Sequence, residues 1–127
     1  MVFKNKIMVV DDDTDIQFSL RVIFENEGYE VVTVNNGLEC LDKLNHGFKG
    51  IIILDIMMPV MDGIETIKKM AVEGFVETNK IIVLTVKKFQ GEEFDEIYKY
   101  ITEYIQKPFD VNILIKTVNK TSKKCDS

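Results

Sequence analysis

The sequence predicts an α/β fold: a doubly wound parallel sheet of five strands with helices on both faces. Three observations point to it. Short apolar runs alternate along the chain with stretches whose apolar residues recur at helical spacing, which is the pattern of consecutive βα units joined by right-handed crossovers. Two of the runs, Ile51-Ile52-Ile53-Leu54 and Ile81-Ile82-Val83-Leu84, are continuously apolar rather than alternating, as strands covered on both faces are. Finally, the runs end on polar residues, Asp11, Asp55, Thr85 and Lys107. In a parallel sheet these ends share one edge, where open α/β sheets bind their ligands.

Each element has a local reason. Lys6-Ile7-Met8-Val9-Val10 is the first strand, stopped by Asp11-Asp12-Asp13. Thr14-Asp15-Ile16-Gln17 has the Thr-x-x-Gln form of a capping box, so a helix is expected to start at Thr14. Ile16, Leu20 and Ile23 give it an inward stripe, widened by Phe18, Val22 and Phe24, and Gly28 stops it. Residues 29–34 form the second strand, Asn35-Asn36-Gly37 a turn, and Leu38, Leu41 and Leu44 mark a short second helix that closes at His46-Gly47. The third strand lies between the breakers Gly50 and Pro59. Asp62, with Glu65 three residues on, caps a third helix carrying Ile64, Ile67 and Met70 inward. After the fourth strand, Gly91 opens a helix with Phe94, Ile97, Tyr98 and Ile101 at i, i+3, i+4 and i+7. Tyr104-Ile105-Gln106 is a short fifth strand, and Asp110 caps a last helix with Val111, Leu114, Ile115 and Val118 on one face. One domain is expected over residues 1–127, its core at about 5–120, with 119–127 a polar tail or linker stub.

The 127 residues, 46% hydrophobic and 29% charged, suit a globular domain with its own core. A net charge of -5 argues against direct nucleic-acid binding, which needs a basic face. No apolar run approaches a membrane span and the start lacks a signal-peptide core, so a cytoplasmic location is expected. Cys40 and Cys125 have no metal-clip or disulfide spacing, and Cys40 reads as helix packing. His46 reads as a solvated loop residue.

The strand ends carry the chemistry. Two carboxylates 4 Å apart repel by roughly 4 kcal/mol at an effective dielectric near 20, so three acids on one rim call for counter-charge. A divalent cation with oxygen ligands supplies it, Mg²⁺ favouring one or two carboxylates with water and phosphate oxygens. Lys107 adds a second positive group. A carboxylate so placed can accept a phosphoryl group from an activated donor, a transfer that needs positioning and charge neutralisation.

As a set, Val9-Val10-Asp11-Asp12-Asp13, Asp55-Ile56-Met57-Met58-Pro59-Val60-Met61-Asp62-Gly63, Leu84-Thr85 and Tyr104-Ile105-Gln106-Lys107-Pro108-Phe109 resemble the receiver domain of two-component response regulators over residues 5 to 120. The resemblance implies a flavodoxin-like (βα)5 sheet of order 2-1-3-4-5 and a signalling domain rather than an enzyme. It makes Asp55 the phosphoacceptor, served by the phosphohistidine of a sensor histidine kinase or a histidine phosphotransfer protein. Mg²⁺, with Mn²⁺ or Ca²⁺ as substitutes, would be held by Asp12, Asp55 and the Met57 backbone carbonyl, with Asp11 acting through water. Lys107 and Thr85 would bind the phosphoryl group, Thr85 and Tyr104 would act as the switch, and the bond before Pro108 would be cis. The face of the fourth helix, fifth strand and fifth helix would meet a downstream protein or an output domain. Self-association through that face is left open.

Four places depart from the family pattern. Val86 stands where Ala or Gly is usual, Met57 and Lys87 flank the approach of water to the acceptor, and Tyr100-Ile101-Thr102-Glu103 lacks the usual glycine stop. Two other readings compete. Asp11-x-Asp13 superficially matches the acid pair of haloacid-dehalogenase-type phosphohydrolases, but Thr14 follows one position too early for that motif and the chain is short. A pseudo-receiver that only binds partners would not need the full set of Asp12, Asp55, Thr85 and Lys107.

Overall fold

The computed structural model describes residues 6–88 and 90–125, with side chains as far as Lys123. Five parallel strands, β1 (Lys6–Val10), β2 (Glu30–Val34), β3 (Gly50–Leu54), β4 (Lys80–Thr85) and β5 (Glu103–Gln106), lie in the order β2-β1-β3-β4-β5. The expected flavodoxin-like order 2-1-3-4-5 is therefore observed. The helices are α1 (Thr14–Asn26), α2 (Gly37–Asn45), α3 (Gly63–Val72), α4 (Glu92–Asp95) and α5 (Val111–Cys125). No helix among the described residues is long and apolar enough to cross a membrane.

The continuous apolar runs are explained by two cores that share the central strands. Met8, Val10, Ile52, Leu54 and Val83 pack under α2, α3 and α4 against Cys40, Ile67 and Phe94. Ile7, Val9, Ile51, Ile53 and Ile82 point the other way, toward Leu20 and Phe24 of α1 and Leu114 and Val118 of α5. Alternate residues of one strand thus feed opposite faces, and both need to be apolar. The register sets Val10 beside both Val34 and Leu54. As a result β1 and β3 run out side by side, and Asp11 and Asp55 emerge as neighbours.

Several local expectations change. The capping residue of α1 is Asp13, not Thr14: its carboxylate accepts from the amides of Asp15 and Ile16. Gln17, placed by the sequence in a capping box, turns away to other partners. Phe18 and Leu38 are exposed rather than inward, because Leu20 with Phe24, and Cys40 with Leu44, already fill the covered faces of their helices. The long fourth helix is not formed. α4 is one turn, followed by a 3₁₀ turn at Tyr98–Tyr100. Gly91 offers no side-chain cap, and β-branched and aromatic residues from Ile97 on hold a helix weakly. Phe94 and Ile97 are buried without it. At the other end α5 continues to Cys125, past the expected start of a polar tail. Thr121 and Ser122 are buried there, and Tyr29 donates to Asn119 Oδ1 at 2.6 Å, tying α5 to the start of β2. Residues 126 and 127 of the expected tail lie outside the described residues.

Candidate functional site

At the carboxyl edge of the sheet, the ladder carries each acidic residue out from its strand. Asp55 N–H still donates to Val10 O at 3.0 Å, and Asp11 N–H to Val34 O at 3.2 Å. Both carboxylates are nearly covered, Asp11 at 3% and Asp55 at 7% exposure. Asp12, one residue on, faces solvent. Ligand oxygens of Asp11, Asp12 and Asp55 lie within 4.8 Å of one another.

Lys107 arrives from the far side. Its amide donates to Thr85 O at 2.8 Å, placing the end of β5 against β4, and the Lys107–Pro108 bond is cis. The ammonium reaches Asp11 Oδ2 at 2.8 Å and Asp55 Oδ2 at 3.2 Å. One cation therefore bridges two buried acids. The remaining oxygens take backbone donors, Asp13 N–H to Asp11 Oδ1 at 2.9 Å and Met57 N–H to Asp55 Oδ1 at 3.0 Å. Burial pushes the Asp11 carboxyl above the ordinary aspartate range, opposed by the hydrogen bond from Lys107 and the Asp13 amide. For Lys107 burial works to lower the pKa, but the hydrogen bond and charge of Asp11 and the charge of Asp55 outweigh it, so it is raised.

Thr85 is fully buried at the end of β4, and its Oγ1 accepts from Lys87 N–H at 3.4 Å. Tyr104 is half-buried on β5, and its hydroxyl donates to the carbonyl of Lys87. Thr85 and Tyr104 thus hold opposite ends of the same residue. The Lys87 ammonium pairs with Glu93 of α4 at 2.8 Å and lies 5.5 Å from the centre of the Phe94 ring. A cleft of about 410 Å³ opens alongside, lined by Met57, Pro59, Asp62 and Lys87 among others. Val86 and the side chain of Met57 are exposed.

The structure brings Asp11, Asp12, Asp55 and Lys107 into one pocket, with Thr85 and Tyr104 joined through Lys87 at its side. Asp13, the second acid of the phosphohydrolase reading, is spent on capping α1. Two contributors escape the sequence. Gln17 Nε2 bonds the backbone carbonyl of Asp11, and the only local signal, Thr14-x-x-Gln17, suggests a helix cap instead. Gly63 abuts the Asp55–Ile56 backbone, where a Cβ would come within 2.6 Å of Asp55 O. The glycine after Asp62 was visible, but not what it touches. Three oxygen-bearing acids around one rim, two of them buried, are a donor set suited to a hard divalent cation such as Mg²⁺.

Residues 7–119 match the family model for the response regulator receiver domain. The chain is 36% identical over 117 residues to the transcriptional regulatory protein CpxR homolog of Haemophilus influenzae, covering 90% of this chain and 48% of that protein. It is 32% identical to sporulation initiation phosphotransferase F of Bacillus subtilis, covering 94% of each. It thus spans about half the length of the first of these relatives and nearly all of the second. Among solved structures, a CheY-like response regulator receiver domain protein from Methanospirillum hungatei superposes with a TM-score of 0.89 at 31% identity, over 96% of this chain and 97% of that one. The response regulator TrrA of Thermotoga maritima, solved in complex with Mg²⁺ and BeF, superposes at 0.79 with 34% identity, over 91% of this chain and 97% of that one. Sheet order, acid cluster, bridging lysine and sequence match converge on one conclusion: this chain belongs to the response regulator receiver domain family.

Proposed function

We propose that the chain is a phosphoryl-accepting switch in which Asp55 takes the group from the phosphohistidine of a sensor histidine kinase or histidine phosphotransfer protein. The observation that carries the reading is the Lys107 ammonium between Asp11 and Asp55, 2.8 and 3.2 Å away. A carboxylate oxygen of Asp55 attacks phosphorus, a P–O bond forms, and the P–N bond to the donor imidazole breaks. Lys107, already in contact with Asp55, pairs with the incoming negative charge. Met57 N–H orients the carboxylate, and the Thr85 hydroxyl would bond a phosphoryl oxygen. Asp12, Asp55 and the Met57 carbonyl would hold Mg²⁺ directly and Asp11 would hold it through water, and the bound ion would supply charge neutralisation; Mn²⁺ or Ca²⁺ would serve in its place.

The modification adds roughly two negative charges at neutral pH. Thr85 and Tyr104 both bind Lys87, so a shift of Thr85 toward the new group is felt at Tyr104 and along α4, β5 and α5. That face is where a downstream protein, an output domain or a second copy would dock. The reading makes residues 1–127 one receiver unit in the cytoplasm, promoting only its own phosphorylation and dephosphorylation.

The test is modification by acetyl phosphate, or beryllofluoride binding, in the presence of Mg²⁺. The wild-type chain should take one group and Asp55→Asn none. Labelling retained in Asp55→Asn overturns the assignment.

A further inference from the structure

Two acids of the pocket, Asp11 and Asp12, sit on the loop between β1 and α1. Asp11, Asp12 and Asp13 are consecutive, and Asp12 and Asp13 face solvent. Lys107 neutralises Asp11, and Asp13 is held at the start of α1. Among the described residues no such contact fixes the direction of Asp12; it is set by the backbone on either side of it. The peptide unit joining Asp11 to Asp12 ends in the carbonyl of Asp11, and that carbonyl accepts from Gln17 Nε2 at 2.5 Å. The same amide group also reaches Val34 O at 3.2 Å and Asn35 Oδ1 at 2.8 Å. Val34 O in turn accepts from Asp11 N–H. Gln17 therefore fastens the β1–α1 loop to the β2–α2 loop from beneath the acids. Asn35 is itself held from the other side, its backbone N–H donating to Glu39 Oε1 at 3.0 Å and its Nδ2 to the same oxygen at 3.3 Å.

The chemistry of the side chain matters. All three partners of Nε2 are oxygen acceptors, so only a donor can occupy the position without leaving them facing one another. An amide donates without bringing a charge of its own beside a cation site. The group is half-buried, one turn into α1, on a rigid element rather than on the loop it steadies.

We infer that Gln17 is a positioning residue for the divalent-cation site, holding the Asp11–Asp12 peptide so that Asp12 faces the same ion as Asp55. The inference rests on the phosphoryl-acceptor reading for the use of the ion, but not for its binding. Residues behind the ligands of a metal commonly alter affinity about 10- to 100-fold when replaced.

The experiment is a titration with Mg²⁺ alone, followed through the amide resonances of Asp13 and Met57, whose N–H groups touch the pocket carboxylates. Gln17→Met keeps the length and removes the donor. Its half-saturating Mg²⁺ should rise about tenfold, while the end point at saturating Mg²⁺ stays near wild type and the variant, though its metal-free melting temperature falls with the lost donor, remains folded. Asn35→Ala removes one acceptor from an exposed loop and should give a smaller rise in the same direction, which covers the case of a poorly folding Gln17→Met. Unchanged half-saturation in either folded variant overturns the role of Gln17. If the wild-type chain itself shows no Mg²⁺-dependent shift, the metal-dependent functional reading fails instead, so the two failures are distinguishable.

Discussion

Gly63 lies so close to Asp55 that a β-carbon on the glycine would sit 2.6 Å from the Asp55 carbonyl oxygen and 2.7 Å from Ile56 Cα. Gly63 N–H also donates to Ile56 O at 2.9 Å. The N-terminus of α3 is thus pressed against the backbone that presents the Asp55 carboxylate.

Gly63→Ala should therefore destabilise the fold by about 1–3 kcal/mol, the usual cost of overpacking, and impair acetyl phosphate labelling of the folded fraction. Gly47→Ala is the contrast. Nothing lies within 4 Å of its added carbon, but its φ is +100°, so it should cost about 1 kcal/mol and leave labelling intact. Chemical denaturation beside a labelling assay separates the two.

Val60 carries the opposite strain. It is a β-branched residue at φ 71°, exposed at 74% in the loop after Pro59. The left-handed region costs an L-residue about 1–2 kcal/mol, and glycine gives part of that back as extra freedom of the unfolded chain. Val60→Gly should raise unfolding stability by about 0.5–1 kcal/mol, measured by urea denaturation.

Removing Lys107 leaves Asp11 and Asp55 as buried like charges. Lys107→Met should lower the melting temperature in chelator, and added Mg²⁺ should raise it by more than in the wild-type chain, because the ion then supplies counter-charge the ammonium no longer provides. Labelling of Asp55 should be lost. Thermal unfolding with and without Mg²⁺ reads the first two effects.

Cys40 is fully buried on the inner face of α2, and burial pushes its thiol up to about 12 from an ordinary 9.0. The folded chain keeps this proton where the unfolded chain releases it. Its contribution to stability is therefore complete below about pH 9 and is lost as pH rises toward 12. In a Cys125→Ser background, iodoacetamide at pH 8 should leave the native protein unmodified and label one thiol per chain in denaturant.

Much of the fold is legible in the chain because strands covered on both faces cannot hide their apolar character. Ile51 to Leu54 could not face water on either side, and Asp55 stands out at their end. The site's members are legible because β-strand ends are marked by abrupt polarity, and the family resemblance assigns them roles. Their pairing is less so. Whether Lys107 meets Asp11, Asp12 or Asp13 depends on register across β1, β3, β4 and β5, and only the first of these pairs with it. Asp13 takes the capping duty expected of Thr14 because its carboxylate reaches the amides of Asp15 and Ile16, and Gln17 is thereby left for other partners. The short α4 follows from the missing cap at Gly91 and the weak helix formers after Ile97, which the spacing of Phe94, Ile97 and Ile101 alone does not register.

The ammonium that joins the two acids stands 96 positions from one and 52 from the other along the chain. A polypeptide emerging from the ribosome has both aspartates long before it has the lysine, and domains are made from the N-terminus onward. Until residue 107 has been added, the two buried acids lack the ammonium that joins them, so a shorter product carries their charges without that partner.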